Sequence, residues 1–421
     1  MSLALRPITD PDELEEEFKR QLALLEFGAE EITPREEFLS MLRRSLSTGT
    51  PLRVKCGIDP TRTDVHLGHL IPYTKMRDFQ NLGHRGVVIV GDYTARIGDP
   101  TGRDKSRPPL SEEQVRENGA FYERQLLAIL DPDKTEFRRQ SEWFEGVDLT
   151  QVISWATQTT VAKLLSHETF KKRIDEGHPL GVHELLYPIL QGVDSVMVKA
   201  HVELGGLDQK FNVLMGRDYQ KNAGGRPQCA VLLPLLTGLD GAQKMSSSLD
   251  NYIGVDDAPF DMFGKLMSIP DALMPEYFKY LARLPRKEYE EKVKELEGGK
   301  THPKEMKKEL AFRVVSLFYG EETAREKSLE FDRVFTQKKI PDEMPTCPYG
   351  SKDVLMDILA SSGLFASKGE IRRTLSQGGV GFVEGEKMVD PFFVPGPGSD
   401  GKVLKIGKRR FLKLKCDLQK K

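Results

Sequence analysis

The chain has 421 residues, 38% hydrophobic and 30% charged, with a formal net charge of −2. That length exceeds one average core, which stops growing near roughly 250 residues, and suits two or three domains; the composition excludes a disordered or fibrous chain, and no apolar run approaches the roughly 20 residues needed to cross a bilayer. Cysteines at 56, 229, 347 and 416 are too far apart for a metal knuckle or redox couple, and the acidic start (Asp10, Asp12, Glu13, Glu15, Glu16, Glu17) fits neither a secretory nor a transit leader, so the expected compartment is the cytoplasm.

Apolar residues at helical spacing (Leu14, Phe18, Leu22 and Leu25, then Phe38 and Leu42), separated by Gly28 and Pro34, predict two helices within residues 1–50. The runs Leu52 to Ile58 and Gly86 to Val90 suit buried parallel strands, and the amphipathic stretch Leu67 to Leu82 between them completes a βαβ unit. A third apolar run, Cys229 to Leu236, follows long helical stretches that read as an insertion and crossover helices. Residues 51–248 are therefore predicted to form an α/β domain with a Rossmann-like doubly wound parallel sheet. Residues 249–345 read as a small all-α domain, with strong helix formers from Arg286 to Leu296 and from Lys304 to Leu317. Residues 351–421 mix a helix-turn-helix with short strands and glycine turns, an α+β domain. This last segment carries ten lysines and four arginines against eight acidic residues. Such an excess suits a polyanionic partner at one end, or a solvated surface.

After the first strand the chain turns at Gly57 and Asp59-Pro60-Thr61, and a helix begins near His66. The amides at a helix N-terminus attract phosphate. His66 and His69 share one helix face, and Gly68 between them lets a flat ligand approach the backbone. Alone, such a pair also fits capping or packing; the carboxyl end of a strand, however, is where open α/β sheets bind ligands. A second cluster, Lys244-Met245-Ser246-Ser247-Ser248, reads as a mobile loop; alone it fits a polar surface loop, or one whose lysine could meet the charge building on a leaving pyrophosphate. Tyr187, Gln191 and Asp194 recur at i, i+4 and i+7 on an otherwise apolar helix, a stripe that suits either a pocket or a water-facing side.

Together, His66-Leu67-Gly68-His69 and the Lys244 cluster resemble the H-I-G-H and K-M-S-K-S signatures of class I aminoacyl-tRNA synthetases. The resemblance extends over nearly the whole chain to the bacterial-type tyrosyl-tRNA synthetase family. It implies a Rossmann catalytic core that activates L-tyrosine with ATP and transfers it to the 3′ end of a tyrosine-specific tRNA. It also implies magnesium accompanying ATP and a homodimer formed through the insertion. By the same resemblance Thr61, His66, His69 and Lys244 act on the phosphates and ribose, and Arg103 and Arg107 belong to a basic loop that closes over pyrophosphate. Tyr187, Gln191 and Asp99, with Thr94 beside it, hold the tyrosine ammonium; Asp194 accepts from the phenol, and Gln209 lies near the reacting carboxylate. Cys56, Gly57, Asp59, Gly68, Gly206, Asp208, Met245, Ser246, Ser247 and Ser248 are positions on the ATP side. Residues 351–421 resemble an S-four-like RNA-binding module, with Lys368, Arg372 and Arg373 on one helix side toward an RNA backbone. The helical domain before it would help bind the anticodon arm.

Three positions depart from the pattern. Lys55 stands where many members carry a tyrosine whose hydroxyl meets the substrate phenol; a lysine can still donate there, with Asp92 nearby to orient it. Gln140 replaces an asparagine and is assigned no role. Ser247 replaces the second loop lysine, removing one phosphate contact unless Arg103 or Arg107 supplies it. Two other readings remain open. One is a tryptophanyl synthetase or another H-I-G-H nucleotidyltransferase, without this basic tail and usually without an aspartate at the position of Asp194. The other is an RNA-binding protein that keeps the fold without activation.

Overall fold

The computed structural model describes residues 5–61, 65–98, 111–299, 301–336, 344–365, 367–383, 385, 387–407 and 410–417. They form two compact units, Met1–Ala258 with Lys265–Gly320, and Pro259–Gly264 with Glu321–Lys421.

The first unit is built on six strands: β1 (Glu31–Thr33), β2 (Arg53–Ile58), β3 (Arg85–Val90), β4 (Thr135–Arg139), β5 (Val202–Gly206) and β6 (Cys229–Leu233). Their order in the sheet is β1-β6-β5-β2-β3-β4. β2 pairs in parallel with both β3 and β5, β3 with β4 and β5 with β6 are also parallel, and only β1 runs antiparallel, against β6. The chain thus winds outward from β2 through β3 to β4, then returns to the other side of β2 for β5 and β6. That reversal makes the carboxyl ends of β2 and β5 the switch point of a doubly wound sheet, where its ligands bind. Val54, Val87, Val88, Ile89 and Val90 are almost wholly buried, as parallel strands covered on both faces require.

The two expected N-terminal helices are Pro11–Glu26, capped by the Asp10 carboxylate, and Arg35–Thr48. Between them lies β1, too short at three residues to show any alternation in the sequence. The stretch expected as one helix from Leu67 is a 3-10 turn, Leu67–Leu70, followed by an α-helix, Ile71–Asn81. Pro72 has no N–H to offer the carbonyl of Gly68, so the α-helical ladder cannot start at His66. Two strands, β4 and β5, lie where the sequence reading found only helices. β4 (Thr-Glu-Phe-Arg-Arg) is a half-buried edge strand whose Glu136 accepts two guanidinium hydrogen bonds from Arg53, at 2.7 and 2.8 Å, and β5 carries the charged Glu203 at its second position.

The helical stretch 249–345 is divided between the units. Its longest element, Pro303–Phe331, is interrupted at Gly320, whose φ of 83° belongs to the left-handed side that glycine adopts without a Cβ clash. The second unit holds β7 (Thr346–Tyr349), β8 (Val380–Phe382), β9 (Lys387–Met388), β10 (Val403–Ile406) and β11 (Arg410–Cys416), in the order β7-β11-β10-β8-β9. Helices Leu355–Ser361 and Lys368–Ser376 contribute Leu355, Leu359, Ile371 and Leu375 to a core with Tyr349, Leu404, Leu412 and Leu414. Among the described residues no helix is long and apolar enough to cross a membrane.

Candidate active site

The carboxyl ends of β2 to β6 open onto a cavity of about 420 Å³. Its lining brings together Lys55, Cys56, Gly57, Asp59, Thr61, His66, Gly68, His69, Thr94, Tyr187, Gln191, Asp194, Gly206, Asp208, Gln209, Lys244, Met245, Ser246, Ser247 and Ser248. Asp99, Arg103 and Arg107 lie outside the described residues.

One end of the cavity is built from the two signature segments. Leu67 N–H donates to the Ile253 carbonyl at 3.0 Å and Val255 N–H to the Val65 carbonyl at 2.9 Å, tying the His66 turn to the chain that follows the Lys244 loop. The His66 and His69 rings stack with centroids 3.6 Å apart. Burial, followed by the nearby His69 and Lys244, pushes the His66 imidazole down to about 2, so it is neutral near pH 7. Its Nδ1 is buried and has no hydrogen-bond partner among the described residues. A Cβ on Gly68 would stand 3.1 Å from that nitrogen and 3.4 Å from the Met245 Cβ, so glycine keeps this corner open. Lys244 is exposed and 3.4 Å from Asp208 Oδ2. Gly206 also leaves room at this end: a Cβ there would be 2.6 Å from Asp208 Oδ1, which would have to turn aside.

The loop expected to be mobile is anchored here by a residue the sequence reading missed. Asn251, 4% exposed, accepts from Ser246 N–H at 2.8 Å and donates to Asp240 Oδ2 at 2.8 Å and to the Lys244 carbonyl at 3.1 Å. A single asparagine after a serine run gave no signal, because asparagines in loops are ordinarily turn formers.

The other end of the cavity is lined by helix Val182–Met197, which aims its polar residues inward. Tyr187 donates its hydroxyl to Asp59 Oδ2 at 2.8 Å, and Thr94 Oγ1 lies 2.7 Å from the other oxygen of the same carboxylate. Asp194 accepts from Gln140 Nε2 at 2.8 Å and from Trp143 Nε1 at 3.1 Å. Burial raises its carboxyl to about 7, against the opposing pull of Lys55, Gln140 and Trp143. Gln140, to which the sequence assigned nothing, is a clamp: its Oε1 accepts from Thr94 N–H at 2.9 Å and Tyr93 N–H at 3.2 Å while its amide nitrogen holds Asp194. Cys56 is buried and its thiol is pushed up to about 12, chiefly by desolvation, so it is neutral.

Lys55 does not face the substrate phenol as the sequence leads one to expect. Its ammonium, 1% exposed, donates to Glu203 Oε1 at 2.9 Å, the Gln191 carbonyl at 3.0 Å and Ser195 Oγ at 2.7 Å. An ammonium has three protons, so none is left for a substrate phenol. Asp92 does not orient it; that carboxylate accepts from Ser141 N–H at 2.9 Å. Glu203 is the partner that was missed, although a lone charge in an otherwise apolar Val-Glu-Leu strand was a readable sign. Removing one member of such a buried pair costs about 3–5 kcal/mol.

Among the described residues no group of three His, Cys, Asp or Glu side chains is placed to hold a metal ion. In the second unit Lys368 pairs with Asp357 at 2.9 Å, and Arg372 and Arg373 are exposed on helix Lys368–Ser376.

Comparison with known proteins agrees with this geometry. Residues 47–336 match the family described as tRNA synthetases class I (W and Y). The tyrosine–tRNA ligase of Carboxydothermus hydrogenoformans is 45% identical over 405 residues, covering 95% of this chain and 98% of that protein. The tyrosine–tRNA ligase of Thermotoga maritima is 41% identical, with 94% and 97% covered. Among solved structures, the tyrosyl-tRNA synthetase of Archaeoglobus fulgidus in complex with L-tyrosine superposes with a TM-score of 0.60 at 25% identity, over 74% of this chain and 99% of that one. A C-terminally truncated mitochondrial tyrosyl-tRNA synthetase of Aspergillus nidulans gives 0.64 at 20% identity, over 77% and 100%. With its signature segments joined at the switch point and a family match across more than half its length, the chain belongs to the class I tRNA synthetases of the tryptophan and tyrosine group.

Proposed function

We propose that the chain is a tyrosine–tRNA ligase, which activates L-tyrosine with ATP to tyrosyl-adenylate and pyrophosphate and then transfers tyrosine to the 3′ end of its cognate tRNA. The observation that carries the reading is Asp194, a buried carboxylate held by Gln140 and Trp143 in the cavity lining and suited to accept from a phenol. Full-length relatives carrying that name support it.

The tyrosine carboxylate attacks the α-phosphorus of ATP in line, the bond to the bridging oxygen breaks, and pyrophosphate leaves; no covalent bond to the protein forms. The protein positions the reactants and stabilises charge. Lys244, the neutral His66 imidazole and Thr61 meet the phosphates, with Arg103 and Arg107 as further cations. His69 and Asp208 take the ribose, and Gly57, Gly68 and Gly206 leave room for the nucleotide. Tyr187, Gln191 and Asp99 bind the ammonium, and Gln209 lies by the carboxylate. A ribose hydroxyl of the tRNA end then attacks the aminoacyl carbonyl carbon, and AMP leaves. Magnesium enters on the ATP phosphates, as part of the substrate. The S-four-like module binds tRNA phosphates through Lys368, Arg372 and Arg373, and the enzyme works in the cytoplasm.

ATP–pyrophosphate exchange with each of the twenty amino acids tests the reading. Exchange with tyrosine alone is expected; exchange with tryptophan alone would move the chain to the other branch, and none at all would favour an RNA-binding protein without activation. Asn251→Ala is expected to lower kcat for exchange about tenfold, the loss of one to two net hydrogen bonds, with the KM for tyrosine unchanged. A raised KM with full kcat would remove Asn251 from the Lys244 loop's support.

The homodimer is proposed from the insertion. Leu149, Ile153, Val161 and Val182 are more than half exposed. Helix Leu149–Ala156 buries no residue of its own. Four large apolar side chains left exposed within residues 149–182 suit an interaction surface. Sedimentation is expected to give a dimer for the natural chain and a monomer for Ile153→Glu.

A further inference from the structure

Glu203 is 1% exposed, and four donors converge on its carboxylate. Lys55 Nζ at 2.9 Å and Gln191 Nε2 at 3.1 Å meet Oε1, while Ser195 Oγ at 3.1 Å and Gln228 Nε2 meet Oε2. An ionised carboxylate offers about four acceptor sites and no donor. Every neighbour must therefore turn an N–H or O–H toward it. For Gln191 this dictates the amide orientation: the nitrogen lies on Glu203 and the carbonyl oxygen is turned away, in a side chain that lines the cavity. Lys55 braces the same helical turn by donating to the Gln191 backbone carbonyl and to Ser195 Oγ. Gly216 makes room for the cluster, since a Cβ there would stand 2.5 Å from Gln228 Nε2 and 2.6 Å from Ser195 Oγ.

We propose that the buried Lys55–Glu203 pair is a positioning device for the amino-acid subsite, holding the Gln191 amide with its carbonyl oxygen toward the substrate ammonium. The assignment rests on the tyrosine-ligase reading above. Both residues border the cavity, but their polar atoms are engaged with each other and with the Gln191–Ser195 turn, so they act through Gln191. Reversed, the amide would present N–H groups to a cation. A neutral amide at position 203 can either donate or accept, so it would no longer choose between the two orientations.

The test uses the full chain as natural protein, Glu203→Gln, and the neutral double variant Lys55→Met/Glu203→Gln. Two competitive inhibitors of tyrosine-dependent exchange are compared: tyramine, which has the ammonium and the phenol, and 3-(4-hydroxyphenyl)propionate, which has the phenol and no ammonium. In both variants the Ki of tyramine is expected to rise about tenfold or more, as for one lost hydrogen bond to a charged group. The Ki of the propionate and the KM for ATP are expected to stay within about twofold of the natural protein's, a shift too small to represent a lost hydrogen bond. Glu203→Gln leaves the Lys55 ammonium buried without its carboxylate; if that variant does not fold, the double variant carries the comparison. Equal weakening of both inhibitors, or natural tyramine affinity in the double variant, would overturn the proposal in favour of a purely structural pair. Absence of tyrosine-dependent exchange in the natural protein would instead overturn the ligase reading, and this assignment with it.

Discussion

Lys244→Ala is expected to lower kcat for tyrosine activation by about 10²–10³, the usual effect of removing one preorganised donor from a developing charge. The KM for tyrosine should hardly move, because Lys244 lies beside Asp208 and His66 and not with Asp194. Nor should folding suffer. The side chain is 47% exposed and its ion pair among the described residues, to Asp208, is 3.4 Å long. Exposed pairs of this kind contribute about 0–1 kcal/mol. Pre-steady-state measurement of adenylate formation, with a thermal melt alongside, checks the pair of expectations. A raised tyrosine KM at natural kcat would show that Lys244 acts in ground-state binding and not on the leaving group.

Asp194→Asn carries the second large effect, a fall of about 10²-fold in the preference for tyrosine over phenylalanine. A hydrogen bond to a charged group is worth about 1.5–3 kcal/mol, and phenylalanine has no hydroxyl to lose it. The variant also turns an NH₂ toward donors on Gln140 and Trp143, which the carboxylate satisfied. The natural protein should show a related pH dependence. Because burial raises the Asp194 carboxyl to about 7, its phenol acceptor is lost as pH falls below that value, and the KM for tyrosine should rise while that for phenylalanine stays flat. The stability sign runs the opposite way. Between the unfolded value near 3.9 and about 7 the folded state binds the extra proton, so this group's contribution to stability falls as pH rises through that window. Both slopes should vanish in Asp194→Asn; an unchanged KM profile would assign the titration to another group.

Much of this was legible in the linear chain because it is local. The runs at β3 and β6 are largely apolar and bounded by turns, and a strand buried on both faces needs little more to be read, while β2 interleaves Arg53 and Lys55 with apolar residues ahead of the turn at Asp59-Pro60. The His66 and Lys244 segments carry their chemistry in consecutive residues, and Tyr187, Gln191 and Asp194 share a helix face by spacing alone. The strands that escaped were those whose burial comes from neighbours. β1 is an edge of three residues, and β4 is an edge strand of charged residues. β5 places a carboxylate where apolar residues are the rule, tolerated only because Lys55, Gln191, Ser195 and Gln228 arrive from elsewhere in the chain to satisfy it.

The same division runs through the site. Residue types and spacing determined that a glycine-proline turn after a strand, a lysine loop and a polar helix stripe exist, because each is written within one short segment. Which groups hold those residues in place was decided by the tertiary structure. Gln140 reaches Asp194 across 54 positions, Lys55 reaches Ser195 across 140, and Tyr187 reaches Asp59 across 128. Hydrogen bonds at such separations leave no period in the sequence. They exist because a doubly wound sheet reverses at β2 and brings the ends of distant strands to one crevice. Lys55 shows the consequence: its identity was plain from the sequence, but its partner, and so its part in the site, was chosen by the strand that the fold laid beside it.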